Sequence, residues 1–181
     1  NLTAAEFTEG DYPYEPAELS EGTHHLRVTA LDDLGNESRV RGTGHVVIDR
    51  TEPEAPIMLD LPAYTNATNT IRLIWAADDD AVKYMVSYSI GDSHYSEPDH
   101  KPQALDLDIS SAVDGDRISA AVMAWDAAGN PSSWSNRAET TVDRSKPYVI
   151  AVSPTEPVRT TNPRPTWTWE GHDQVSEVAH Y

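Results

Sequence analysis

The chain has 181 residues, with 30 acidic against 13 basic side chains and a formal net charge of −17. Such a surface repels phosphate, which excludes nucleic acid and anionic lipid as expected partners. With no cysteine there is no disulfide framework, zinc knuckle or thiol nucleophile. No apolar run approaches the ~20 residues that a membrane-spanning helix needs.

In chain order, the first predicted strand runs through Leu26, Val28 and Ala30, apolar at every second position, the mark of a half-buried strand. Asp32-Asp33-Leu34-Gly35-Asn36 follows as a turn, with Gly35 and Asn36 as residues that tolerate positive φ and Asp32 as its cap. Asp49-Arg50-Thr51-Glu52-Pro53 reads as a short stiff linker. A strand near 56–61 is expected next, followed by Ile71, Leu73 and Trp75 on one face. Tyr84, Val86 and Tyr88 then alternate with polar positions, as do Leu105, Leu107 and Ile109. Ile118, Ala120, Val122 and Ala124 share a face, and a last strand is expected near 134–142. Turn signals at 78–80, 91–92, 114–116 and 128–130 separate these segments. About seven short strands without a helix signal read as an antiparallel sandwich.

The chain also repeats itself. Gly35 and Gly129, Asp49 and Asp143, and Trp75 and Trp169 each stand 94 residues apart, within locally similar motifs. A common offset over separate motifs indicates tandem modules of that length. The expected division is the back half of one module at 1–50, a complete module at 51–146, and the front half of a third at 147–181. Trp167 and Trp169 then fall on a core face, as Trp75 does.

The run Ile71-Arg72-Leu73-Ile74-Trp75, the run Tyr84 to Tyr88, and Ala120 to Asn130 resemble a fibronectin type III or bacterial Ig-like repeat. Gly22 to Asp32 is similar to the bacterial form. The chain departs from the fibronectin pattern at Arg117-Ile118, where such modules place a core Tyr. The resemblance implies an all-β fold of tandem antiparallel Ig-like/fibronectin-III-like β-sandwiches. It also implies large secreted or surface-anchored proteins, often adhesins, or spacers of glycan-degrading enzymes.

The sandwich expected here brings acidic groups to one pole. Asp78, Asp79 and Asp80 would gather with Asp126 and Asn130, while Asp49, Glu52 and Glu54 approach from the linker. Hard cations such as Ca²⁺ take six to eight oxygens from such groups, so a Ca²⁺ ion at the module junction is one expectation. The alternatives are that Asp-rich turns bond their own backbone, or that Arg50 pairs with the cluster. At the second junction Lys146 replaces Glu52, and Glu170, His172 and Asp173 replace the Asp triplet, so cation binding there should be weaker. Trp125 and Trp134 flank the Gly129-Asn130 hairpin; exposed, they would stack on sugar rings, and packed, they would support each other across strands. His94 and His100 read as members of a polar loop. No catalytic triad, nucleophile elbow, phosphate loop or zinc-protease motif is present.

The function expected is a non-catalytic structural repeat, a stalk or spacer of a large extracellular bacterial surface protein. Its partners would be neighbouring modules of the same polypeptide, with any glycan or cell-surface ligand bound through other domains. Two alternatives are a carbohydrate-binding or spacer module of a secreted glycan-degrading enzyme, and a self-assembling filament subunit whose half-modules complete one another between chains.

Overall fold

A computed structural model of the chain describes residues 18–39, 42–153 and 159–179. The described residues form twelve strands and no helix. They divide into two compact units, residues 1–52 with 128–130 and residues 53–127 with 131–181. Residues 1–17, 40–41, 154–158 and 180–181, which belong to the expected half-modules, lie outside the described residues.

The first unit contains an antiparallel pair, β1 (Gly22–Val28) and β2 (Gly42–Ile48), in register from Gly22 opposite Ile48 to Val28 opposite Gly42. Beyond β1, the Asp32 turn closes as expected. Gly35 takes φ 82°, and Asp32 Oδ1 accepts the N–H groups of Leu34 at 3.0 Å and Asn36 at 2.8 Å. The bond from the Asn36 side chain, and then these backbone bonds, hold the Asp32 carboxyl below the usual carboxylate range.

The second unit holds the sandwich. Its larger sheet is ordered β4 (Tyr64–Thr65), β10 (Ala138–Val142), β9 (Arg117–Trp125), β6 (Lys83–Ile90) and β7 (Ser93–His100). The smaller sheet is ordered β3 (Ile57–Met58), β5 (Thr70–Ala76) and β8 (Ala104–Asp108). All pairings are antiparallel except β4 with β10. Period-two patterning puts Ile71, Leu73 and Trp75 inside from one sheet and Tyr84, Val86, Ile118, Ala120, Val122 and Ala124 inside from the other. They form one continuous core. Trp75 meets Tyr84 edge-on at 5.5 Å between ring centroids, a favoured aromatic geometry.

Three expectations need correction. First, His94 and His100 lie in a strand, β7, which pairs with β6 across the two-residue turn Gly91-Asp92. Strand β7 stands at the sheet edge and is exposed along nearly its whole length, so no apolar alternation announces it. Its far end is irregular: the register shifts opposite Tyr84 and Val86, and Asp99 takes φ 56°. Second, the strands expected at 56–61 and 134–142 are shorter. Only Ile57–Met58 is strand in the first, and β10 begins at Ala138. Residues 132–137 instead track β9 through serine hydroxyls. Ser132 N donates to Ala124 O at 2.8 Å while Ala124 N donates to Ser132 Oγ at 2.9 Å. Ser135 repeats the exchange with Val122 at 2.9 and 3.0 Å.

Third, Trp167 and Trp169 are not buried as Trp75 is. Strands β11 (Tyr148–Ser153) and β12 (Thr168–His172) pair only with each other, and among the described residues no second sheet covers them. Trp167 and Trp169 remain more than half exposed, whereas Trp75 is 2% exposed.

Candidate functional site

The acidic turn after β5 is built from its own backbone. Asp78 O accepts Ala81 N–H at 3.1 Å, and Asp79 N–H donates to Asp78 Oδ1 at 2.7 Å. Val82 N–H then donates to Trp125 O at 2.8 Å, returning the chain to β9. This path brings an oxygen of the exposed Asp80 carboxylate within 4.8 Å of one on Asp126. Asp126 is buried, at 2% exposure. Two carboxylates this close repel, and a bound cation would relieve the repulsion. Their oxygens suit a hard cation. The side chain of Asp78 is engaged in its own turn, and Asp79 is exposed.

In the first unit, Asn130 Nδ2 donates to Asp49 O at 3.1 Å, and Asp49 Oδ1 accepts Thr51 N–H at 3.0 Å. Asn130 thus places its amide nitrogen on a backbone carbonyl, and Asn36 in the sister turn places its own on Asp32 Oδ2 at 2.7 Å. Glu52 and Glu54 are exposed. Arg50 bonds within the first unit. Its Nη2 donates to Leu19 O at 3.2 Å and lies 3.8 Å from Glu18.

At the second linker, Asp173 Oδ1 accepts the N–H groups of Val175 at 3.0 Å and Ser176 at 3.1 Å. These bonds hold its carboxyl below the usual range. Ser145 Oγ donates to Asp143 Oδ1 at 2.8 Å and lies 3.3 Å from Asp173 Oδ1.

Of the two tryptophans beside the Gly129 turn, Trp134 is 44% exposed and Trp125 is half-buried. Lys83 Nζ stands 5.6 Å from the centre of the Trp125 ring and is itself 3.1 Å from Asp99 Oδ1. The cation sits over one π face of the ring. His94 and His100 fall into different surroundings. His100 Nε2 is 2.8 Å from Ala104 O, and the ring lies 5.6 Å from that of Trp75, whereas His94 is exposed opposite Ser89.

Sequence reasoning missed Arg144, two residues beyond the end of β10. Its guanidinium donates to three backbone carbonyls: Nε to Ala67 O at 2.9 Å, Nη1 to Ala112 O at 2.5 Å and Nη2 to Ile109 O at 3.0 Å. Its backbone N–H donates to Asp114 Oδ1 at 2.6 Å. The signal was the recurring Asp-Arg-x-x-Pro, read as a linker for its proline and not for its arginine.

No family model matches the chain, and no curated protein matches it significantly. Similar solved structures include a β-1,2-glucanase from Parabacteroides distasonis, at 23% identity and TM-score 0.39 over 60% of this chain and 16% of the glucanase. An Fn3-like protein from Clostridium thermocellum matches at 16% identity and TM-score 0.36, over 54% of this chain and 97% of that protein. A Ca²⁺-stabilised adhesin with which an Antarctic bacterium reaches out and binds ice matches at 21% identity and TM-score 0.35, over 74% of this chain and 35% of the adhesin. The assignment to the all-β class stands on the strand order and core described above.

Proposed function

We propose that this chain is a non-catalytic structural repeat, a stalk or spacer within a large extracellular protein of a bacterial surface. The observation that carries the reading is the recurrence, 94 residues apart, of one turn and one Asp-Arg-x-x-Pro linker, with Arg144 tying its copy of that linker to three backbone carbonyls. A linker fastened to the module it leaves limits bending between modules, which a spacer needs and an isolated binding domain does not. The strongly acidic surface favours solubility and cation uptake.

The reading extends to calcium. Asp80 and Asp126 would contribute carboxylate oxygens to a Ca²⁺ ion, and the ion would relieve their mutual repulsion. The partners proposed are neighbouring modules of the same polypeptide.

Antibodies raised against this chain, applied to intact cells and to the native polypeptide, test the assignment. The expected result is surface labelling of a polypeptide with a mass far above 19.9 kDa. A native mass near that value, or labelling only after lysis, overturns it.

A further inference from the structure

We infer that the Arg144 side chain extends the parallel β4–β10 ladder by one rung and makes it a clamp against tension applied along the chain. Thr141 N–H donates to Ala63 O at 3.0 Å and Asp143 N–H to Thr65 O at 2.9 Å; Arg144 Nε then donates to Ala67 O at 2.9 Å. The acceptors advance by two, 63 to 65 to 67, as in a continuing parallel strand. The third donor, however, is a side chain. The two remaining guanidinium bonds, to Ile109 O and Ala112 O, tie the same point to the turn beyond β8.

The direction of pull gives this arrangement its effect. The two strands run parallel. Tension reaching β4 from its N-terminal side and β10 from its C-terminal side draws them in opposite directions along their common axis. Every rung is then strained together, whereas an end-on peel breaks rungs singly. Arg144 sits at the point where β10 leaves the sheet, so the pull cannot reach the backbone rungs without first straining the guanidinium. All three of these bonds run to neutral carbonyls from a charged donor, a stronger class than neutral pairs. The planar fork meets three separate acceptors from three nitrogens; a lysine ammonium offers its three donors from a single nitrogen on a flexible stem. Arg50, 94 residues earlier, likewise donates to a backbone carbonyl, that of Leu19.

The purpose of such a clamp rests on the stalk reading, but its measurement does not. Because the chain has no cysteine, handles can be placed by paired substitution in the full-length chain. Asp60→Cys, between β3 and β4, with Lys146→Cys loads β4 against β10. Asp60→Cys with Asp92→Cys bypasses β10. In single-molecule pulling, the first geometry is expected to need at least about twice the rupture force of the second. Arg144→Met is expected to raise the unfolding rate under load about tenfold in the first geometry and by less than about twofold in the second, with Arg144→Lys recovering little of the loss.

Equal forces in the two wild-type geometries, or equal acceleration of both by Arg144→Met, overturn the inference and leave Arg144 with a purely structural role. Should Arg144→Met fail to unfold as one cooperative step, Arg144→Lys in the two geometries decides by the same criterion. A negative result here beside a high native mass rejects the clamp and keeps the stalk. A positive result beside a native mass near 19.9 kDa does the reverse.

Discussion

Asn136 pairs with both backbone groups of Met58 as a neighbouring strand would: Met58 N–H donates to Asn136 Oδ1 at 2.8 Å, and Asn136 Nδ2 donates to Met58 O at 2.9 Å. The amide thus completes the short strand β3, which is hydrogen-bonded on its other side to β5. Asn136→Ala leaves both backbone groups of the buried Met58 without these partners. An unsatisfied buried group costs about 1–3 kcal/mol, so a loss of that order in denaturant-derived stability is expected. Asn136→Asp keeps the acceptor and loses the donor, and should fall between the two.

Trp75 combines complete burial with an indole Nε1–H that has no hydrogen-bond partner. Removing the ring by Trp75→Ala should cost about 3–5 kcal/mol, as other large core truncations do. Trp75→Phe removes the orphan donor while keeping an aromatic ring. Its loss in urea midpoint should therefore be clearly smaller than that of the alanine variant. Equal losses would contradict this, because both variants remove the orphan donor and differ in the cavity they leave.

Gly91 and Gly115 both occupy positive φ, at 54° and 88°, but their surroundings differ. A Cβ on Gly91 would stand 2.9 Å from Asp116 Oδ1, whereas nothing lies within 4 Å of one on Gly115. Asp116 cannot yield freely, because its Oδ2 accepts Val113 N–H at 2.9 Å. Gly115→Ala is therefore expected to show backbone strain alone, about 1 kcal/mol, and Gly91→Ala measurably more. Thermal melts of the two variants compare them directly.

Asp108 Oδ1 accepts the backbone N–H of Ser110 at 2.8 Å. That bond, with one from the Ser110 side chain, holds the carboxyl below the usual carboxylate range. Folding thus favours the ionised form. The stabilisation is complete above the ordinary carboxylate pKa of the unfolded chain and is lost as pH falls through the depressed native value. Wild type should exceed Asp108→Asn in urea midpoint at neutral pH, and the gap should close on acidification. A gap that ignores pH would remove Asp108 from the account of acid unfolding.

Calcium at the Asp80–Asp126 pair should appear as a melting temperature that rises with ion concentration, since a ligand bound only by the folded state stabilises by mass action. Asp80 is exposed, so Asp80→Asn should fold normally and flatten the calcium response. A wild-type melt identical in chelator and in millimolar calcium would exclude binding.

The sandwich was legible where burial imposes a period. Strand β5 buries Ile71, Leu73 and Trp75 and exposes the residues between them, so the pattern alone located it. Strand β9 was equally plain, because Ile118, Ala120, Val122 and Ala124 line one face. Strand β7 was invisible, since an exposed edge imposes no alternation, and the Ser132–Asn136 segment was misread because side chains there replace the strand ladder. Within the candidate site, the approach of Asp80 to Asp126 was anticipated. The engagement of Asp78 in its own turn was the bland alternative, and for that residue it holds. Arg144 was passed over because an arginine in a polar linker carries no signature until its three acceptors converge from distant positions in the chain.

Edge strand β7 carries Glu97, Pro98 and Asp99 in sequence, and Asp99 is the one non-glycine described residue at positive φ. Proline lacks a donor, the turned backbone breaks the extended line, and the carboxylates discourage a negatively charged newcomer. In the tandem array proposed, sister modules sit beside each other at an effective concentration on the order of millimolar. Nascent neighbours could readily exchange strands during synthesis. The awkward end of β7 denies them a template, so each module is steered to finish on its own strands before the next emerges.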